Sequence, residues 1–412
     1  MNRLLVLLVA PLLLLLVAGC SVFDEALRPP EGEDGGDGSD VCGRRWPARP
    51  VSVPEGDGGT GEVVLYALKN VTLDMSSSRA NRTGYDLDGF CTESEEGPGE
   101  CVAPSSGEYI VDGVEGIDNA FARDFYGFVD IALQTAANEN ESIAEIYCPG
   151  DEDCIPFQDV ARQFQDEGKG TLLVLVEDWN GESSDDRMRV TIAQAAAGTP
   201  CEHRDDVEFV DGELVLISTG DPAPAPQWDG NDCWWLRSDT FVNENPEQEP
   251  RIRDTTAYVN EGETVIRLPD GRDILFFAGP AGARVNLTGA VATGTFVDGG
   301  ESLEDVIVAG RWSTSELTDT GQHVGVCPGT VQQDVLTMEL NKVADVLSTR
   351  PDEILPDTEC DALSMGVVFE EGVRGTLVTD ESGLPELGPS PPLPIPCEDQ
   401  GTTDGGMTDG GM

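Results

Sequence analysis

Lysine occurs at only three positions, Lys69, Lys169 and Lys342, and histidine at two, His203 and His323. Twenty-four Lys and Arg face 78 Asp and Glu, for a formal charge of −54. Phosphate binding needs clustered cations, so nucleic acid is excluded as a partner. The same charge argues against adsorption to an anionic lipid surface. The two histidines form no His-Glu-x-x-His, Gly-x-Ser-x-Gly and the P-loop are missing, and the one Gly-x-Gly-x-x-Gly, Gly56 to Gly61, lies in a Gly-rich acidic stretch that no strand precedes and no helix follows, so neither signature hydrolase chemistry nor a nucleotide cofactor is supported. No catalytic residue is assigned, and no cofactor is required. No Cys-x-x-Cys occurs, which removes a zinc ribbon and a thioredoxin-type redox site. After the first twenty residues no apolar run approaches the length of about 20 that a membrane helix needs.

Those first twenty residues are the most informative stretch. Arg3 is followed by an apolar run, Leu4 to Val17, and by Val17-Ala18-Gly19-Cys20. A charged start, a short apolar core and small residues at the end make a secretory signal. The ending resembles the bacterial lipobox. That resemblance implies removal of residues 1–19 as a signal peptide and acylation of the Cys20 thiol and amine. The protein is then held to the membrane through its lipid anchor. Ser21, where Asp would favour retention at the inner membrane, points to the outer membrane or cell surface. Each buried methylene contributes roughly 0.8 kcal/mol, and one chain alone holds marginally, so several are needed for firm anchoring.

Setting Cys20 aside leaves ten cysteines, an even number that reads as disulfides in an exported chain. Sequential pairing is the simplest expectation: Cys91 with Cys101, Cys148 with Cys154, Cys201 with Cys233, and Cys327 with Cys360. Cys42 and Cys397 would then tie the two tails together.

Residues 20–61 are rich in Gly, Asp, Glu and Pro and read as a flexible acidic tether. A β-rich body is expected over 62–379, with helical insertions near 118–166 and 330–348. Its first strand lies in Glu62 to Met75. A helix over Asp118 to Ala137 carries the stripe Phe121, Phe125, Phe128 and Ala132, with Asp118 as N-cap. A second fits Phe157 to Asp166. Strands follow at Thr171 to Val176 and Arg187 to Ala193 around an Asn180-Gly181 turn. Asp270-Gly271 signals a hairpin between Thr264–Leu268 and Ile274–Phe277. Another turn, Asp298-Gly299-Gly300, joins Ala290–Val297 to Ser302–Trp312. The helix from Thr330 to Ser348 has the stripe Leu336, Leu340, Val343, Leu347 and a capping box of Thr330 with Gln333. Leu363–Phe369 and Arg374–Val378 are closing strands, and 380–412 is a disordered Pro- and Gly-rich tail. Many short strands with turn signals give a mainly β fold, expected as a jelly-roll-like β-sandwich with helical insertions.

Two acidic loops are the best candidate site. Asp86, Asp88, Asp112, Asp118 and Asn119 carry oxygen ligands, and Gly89, Gly113 and Gly116 allow tight turns. Hard cations such as calcium take six to eight oxygens from such loops. The spacing is not that of an EF-hand, because Phe90 stands where the third ligand belongs. The plainer reading is helix capping and Asx turns. Asn180, Asp185 and Asp186 read first as a hairpin turn. Trp228, Trp234 and Trp235 beside Asp229 and Asp232 could stack on a glycan, but packing explains them as well.

Several short pieces resemble a group of uncharacterised predicted lipoproteins of myxobacteria: Gly84-Tyr-Asp-Leu-Asp-Gly-Phe-Cys91, Asp112-Gly-Val-Glu-Gly-Ile-Asp-Asn119, the Trp228-Asp-Gly-Asn-Asp loop, Thr256-Ala-Tyr-Val259 and Ala309-Gly-Arg-Trp312. The resemblance implies location and brings no activity. The reading is an envelope-anchored surface module that binds a glycan or an envelope protein, with calcium as its cation. Two alternatives stay open: a carboxylate-dependent hydrolase and a purely structural envelope component.

Overall fold

The computed structural model describes residues 43–50, 63–73, 77–137, 154–270, 284–323, 326–349 and 357–390, with short pieces at 144, 147–148, 273–275, 355 and 397. The chain divides into two units. Met1–Val41 with Arg350–Glu353 form one and lie outside the described residues, as do the expected signal peptide and Cys20. Everything below belongs to the other.

Among the described residues thirteen strands run in order: β1 Val64–Thr72, β2 Leu172–Glu177, β3 Asp185–Pro200, β4 Val207–Val210, β5 Glu213–Leu216, β6 Asp232–Arg237, β7 Arg253–Asn260, β8 Glu263–Arg267, β9 Asp273–Leu275, β10 Arg284–Val297, β11 Ser302–Ser313, β12 Ala362–Leu377 and β13 Leu387–Gly388. Eight of them form a closed antiparallel barrel in the order β1-β2-β3-β7-β8-β10-β11-β12. Closure is made by β1, whose Ala67 pairs with Leu173 of β2 on one side and Val373 of β12 on the other. The expected β-sandwich is therefore wrong. Alternating apolar residues describe a strand with one face inward equally well in a sandwich and a barrel. What separates the two is a pairing between strands about 300 residues apart, which local pattern does not encode.

The barrel interior is filled by Tyr66, Leu68, Val174, Ile266, Val308 and Phe369 among others. Outside, β6 spans the ends of β3 and β12, antiparallel to the first and parallel to the second. Trp234 of β6 is 1% exposed. A Cβ on Gly198 or Gly375 would come within 2.4 or 2.6 Å of its ring, so these two glycines are what let the indole lie flat on the barrel wall. The pair β4–β5 is a separate hairpin, and β13 runs parallel to β6.

Other expectations need correction. Among the described residues β8 and β9 both pair with β10 and show no pairing with each other, and Gly271 of the expected Asp270-Gly271 hairpin lies outside those residues. Leu363–Phe369 and Arg374–Val378 are one strand, β12, which serves β11 and β1 at once. The ordered chain runs past 379: β13 pairs with β6, and the Ser390 hydroxyl accepts from Asp239 N at 2.9 Å. Residues 43–50, expected in the flexible tether, are docked. Trp46 packs edge-on against Tyr85 at 5.6 Å, and the Tyr258 hydroxyl donates to Pro47 O at 2.5 Å.

Helices α1 Tyr126–Ala137, α2 Phe157–Asp166, α3 Thr314–His323 and α4 Val331–Val343 pack against the barrel. Phe121–Phe125 is a π-helical stretch leading into α1. Asn119, not Asp118, caps it: Asn119 Oδ1 accepts from Ala122 N at 3.3 Å. Half of the expected capping box of α4 is present: the Thr330 hydroxyl accepts from Gln333 N, but the Gln333 side chain accepts from Gly329 N and not from Thr330 N. Among the described residues no helix is long and apolar enough to cross a membrane.

Four disulfides lie among the described residues: Cys101–Cys360, Cys148–Cys154, Cys201–Cys233 and Cys327–Cys397. Cys91 is disulfide-bonded as well. The two short-range expectations, Cys148–Cys154 and Cys201–Cys233, hold. Cys91–Cys101, Cys327–Cys360 and Cys42–Cys397 do not. A backbone bridge between Val102 and Glu359 brings Cys101 beside Cys360 across 259 residues. Cross-links of this number fit an oxidising, non-cytoplasmic compartment.

Candidate metal centre

Three pieces of chain with no core of their own converge outside β11 and β12. The first is the loop Tyr85–Glu100, the second is 112–119, and the third is the residue pair that follows α4. Tyr85 and Asp118 form an isolated β-bridge, with Asp118 N donating to Tyr85 O at 3.0 Å. This crossing places the acidic side chains of the two loops against each other.

Asp86, Asp88 and Asp118 present carboxylate oxygens within 4.8 Å of one another. They are only 4%, 2% and 2% exposed. Each is aimed by backbone N–H groups. Asp118 Oδ2 accepts from Leu87 N at 2.7 Å and Asp88 N at 3.1 Å. Asp86 Oδ1 accepts from Gly89 N at 2.5 Å. Asp88 accepts from Phe90 N at 2.7 Å and from Glu100 N at 3.2 Å. The Asp86–Gly89 and Asp88–Phe90 bonds are Asx-type turns, in line with the plainer sequence reading, while those of Asp118 and of Glu100 N join separate segments.

Asp112 joins them. It accepts from Thr92 N at 2.6 Å and hydrogen-bonds the Asp118 carboxyl. Asp345, which sequence reasoning missed, lies on the far side. Its carboxylate accepts from Ser364 N at 2.7 Å and from the Ser364 hydroxyl, and its charge acts on Asp118. Asn119 is not part of the ligand set. Its amide donates to Thr83 O and Gly366 O while its Oδ1 accepts from Gly366 N and Ala122 N. It is a structural clamp on β12, with no oxygen to spare.

Burial dominates the electrostatics. It pushes Asp88 up to about 8, with the charges of Asp112, Asp86 and Glu100 adding to it and the Phe90 N–H opposing it. Asp118 is raised well above the usual carboxylate range by burial and then by its four acidic neighbours. Burial also raises Asp112 and Asp345 to about 6, although backbone or hydroxyl donors and Arg123 pull both down. Two guanidiniums stand near these five acids. Arg45 lies 3.5 Å from Asp86 and is 35% exposed, and Arg123 is 10% exposed and also paired with Asp124. Arg311 is committed elsewhere: its Nη1 bonds both Glu100 oxygens at 3.1 and 2.8 Å and Leu347 O at 2.6 Å. The cluster is short of positive charge. It must take up protons or a cation.

The other sequence candidates resolve as structure. Asp185 accepts from Asn180 N and Arg187 N, which is a turn. Trp234 and Trp235 are buried, and Trp228 packs on Trp234 at 5.1 Å. Asp232 accepts from Gln227 N and Trp228 N and shapes that loop.

No family model matches the chain, and no curated protein or solved structure matches it. The chemistry of the site rests on its own donors. They are all oxygens, with no histidine and no thiol in the group, which suits a hard cation over zinc. Carboxylates on loops that can adjust suit calcium over magnesium, which demands a rigid octahedron.

Proposed function

We propose that the chain is a calcium-binding surface module of the bacterial envelope, tethered by lipid on Cys20. One observation carries the calcium assignment: three buried carboxylates with oxygens within 4.8 Å of each other, flanked by two more and undercompensated by arginine. The lipid anchor is supported by the lipobox resemblance and by the disulfides, which suit an exported chain. The cation has a mechanical role in this reading. It would join the 86–88 loop and Asp118, and through Asp118 its neighbours Asp112 and Asp345, so it would hold the loop layer against β12.

The binding function is then that of the calcium-ordered surface. The indoles of Trp234 and Trp235 are buried, and half-buried Trp228 is packed against Trp234 and under the Lys69 ammonium, so the loop offers a glycan little ring face to stack on. An envelope protein is the better supported partner. The hydrolase alternative gains nothing from the site, because carboxylates no more than 4% exposed leave no room for a substrate bond between them.

Calcium titration of the full, oxidised chain by calorimetry tests the assignment. The wild-type protein should give a saturable heat, and Asp118→Asn should abolish it or weaken it at least tenfold. No heat with the wild type, or equal heats for both, would refute calcium binding here.

A further inference from the structure

The chain has eleven cysteines, and eight of them are paired in the four disulfides given above. Cys20, Cys42 and Cys91 remain. Cys91 is disulfide-bonded, so its partner is Cys20, Cys42 or a cysteine of a second chain. Cys42 lies outside the described residues, but its neighbour Gly43 is described and sits beside the Cys91 sulfur. A Cβ on Gly116 would come within 2.6 Å of Cys91 Sγ and 3.4 Å of both Gly43 N and Gly43 Cα. A single methyl group there would touch both.

The backbone holds this placement. Gly43 N and Arg44 N both donate to Glu115 O, at 3.0 and 2.8 Å, and Asp86 N donates to Arg44 O at 2.8 Å. Residues 43–44 are thus pinned to both acidic loops. Gly43 and Gly116 have φ of +110° and +69°, where a side chain is strained, and a Cβ on Gly43 would overlap the Asp86 carboxylate. Consecutive Cα atoms are about 3.8 Å apart, and a disulfide spans about 4.4–6.8 Å between Cα atoms, so a residue next to Gly43 is within bridging reach. Cys20 would have to fold back along the acidic arm to meet the same sulfur, leaving Cys42 idle beside it.

We propose that Cys42 is the partner of Cys91, and that the bond clasps the N-terminal arm to the acidic loop layer. The bond forms by thiol–disulfide exchange. The two thiols pass two electrons and two protons to the disulfide of an exported thiol–disulfide oxidoreductase, which leaves as a dithiol. One cysteine is then left over, Cys20, the residue that the lipobox resemblance assigns to lipid. The bond rests on the cysteines alone, and its mechanical role rests on the lipid anchor proposed above. At about 3.4 Å per residue, residues 20–42 reach at most about 75 Å from the anchor, against about 150 Å for residues 20–64. The clasp halves the reach of the body and passes the pull of the arm to the loop layer instead of to β1. It also holds one end of residues 43–50 whether or not a cation is bound.

Mass spectrometry of the unreduced full chain, denatured in iodoacetamide, tests the bond. A glutamyl endopeptidase leaves Cys20, Cys42, Cys91 and Cys101 on four separate peptides. Those holding Cys42 and Cys91 should run as one linked species that parts on reduction, with neither cysteine alkylated. In Cys42→Ser, Cys91 should take up the alkyl group, a readout that does not depend on how well the variant folds. An alkylated Cys42 in the wild type, Cys91 linked to Cys20, or a reducible dimer through Cys91 would each overturn the proposal. Membranes carrying the lipidated chain test the role. Trypsin acting at the exposed Arg45 and Arg49 should leave the body on the membrane until dithiothreitol releases it, and should release the Cys42→Ser body at once. Release of the wild type by trypsin alone would refute the clasp. A body already soluble before any cut would refute the anchor, and the clasp's role with it, while the linked peptides still decide the bond.

Discussion

Raising the pH in calcium-depleted buffer should weaken this fold, and calcium should cancel the effect. In the native state Asp112 and Asp345 are held at about 6 and Asp88 at about 8, against an ordinary 3.8 that they regain on unfolding. A carboxyl whose native value lies above its unfolded one binds its proton more tightly when folded. Its contribution is intact below about pH 4 and is lost as the pH rises through the native value. For Asp112 and Asp345 the loss runs from about pH 4 to 6, and for Asp88 it continues to about 8. A tenfold change in proton affinity is worth about 1.4 kcal/mol, so Asp345 alone costs about 3 kcal/mol to ionise in the fold. At about 2–4 °C per kcal/mol for a domain of this order, the melting temperature should fall by roughly 6–12 °C. In the proposed reading calcium binds the ionised acids. In excess calcium the curve should be flat or rise, with a gain of about 2.7 kcal/mol at a hundredfold excess over Kd. Scanning calorimetry across that pH range, with and without calcium, reads both curves. Self-repulsion from the −54 charge depresses both alike, so the difference between the curves is the diagnostic. Two parallel curves would refute the reasoning, as would a calcium effect that survives in Asp118→Asn.

Glu100→Gln leaves the Arg311 guanidinium buried without its partner's charge, and should cost about 3–5 kcal/mol in urea unfolding. Asn119→Ala removes the clamp on Gly366 and should cost about 1–3 kcal/mol while calorimetric calcium affinity stays at the wild-type value; a lost calcium heat would return Asn119 to the ligand set. Removing Cys101–Cys360 with a double serine variant opens a loop of 259 residues and should cost about 5 kcal/mol by chain entropy. The same change at Cys148–Cys154, with a separation of 6, should cost about 2 kcal/mol. Equal losses in parallel thermal melts would argue against the entropic account.

Much of the local structure was legible. The β2–β3 hairpin follows from an apolar run, Asn180-Gly181 and a returning strand. Helix α4 follows from its stripe and from Thr330 with Gln333. Asp86 and Asp88 were legible as a site because short acidic loops with glycine are either turns or ligands, and here they are turns whose carboxylates lie within 4.8 Å of each other and of Asp118. The architecture was not legible, because β1 must meet β12 from nearly 300 residues away and nothing in either strand names its partner. The same holds for Cys101 and Cys360. Asp345 was hidden among 78 acids, yet it had a signal: it interrupts Val343-Ala344-Asp345-Val346-Leu347, and an acid inside an apolar run is either buried with a partner or misplaced. Arg311, between the apolar run Val306–Ala309 and Trp312, had the same mark.

The position of these misfits explains why the acids are kept inside. The loop layer is stitched to the barrel by a row of contacts that all end on β11, β12 or the chain just before β12. Cys101 bonds Cys360, Glu100 pairs with Arg311, Ala120 N donates to the Ser364 hydroxyl, and Asn119 bonds Gly366. Asp345 grips Ser364 from the opposite side. Every one of these is covalent, fully hydrogen-bonded or charge-balanced except the group at the centre of the row. Asp86, Asp88 and Asp118 would be better replaced by apolar residues if stability alone were served, because protonated acids contribute little and ionised ones repel. A divalent cation converts the same three side chains from the weakest stitch to a strong one. Loop attachment would then depend on calcium outside the cell, and residues 43–50 would depend on it too, since Asp86 N donates to Arg44 O at 2.8 Å and Asp86 faces Arg45. Limited proteolysis should therefore cut near residues 43–50 faster after calcium removal. Cleavage at the same rate in both conditions would uncouple the segment from the site.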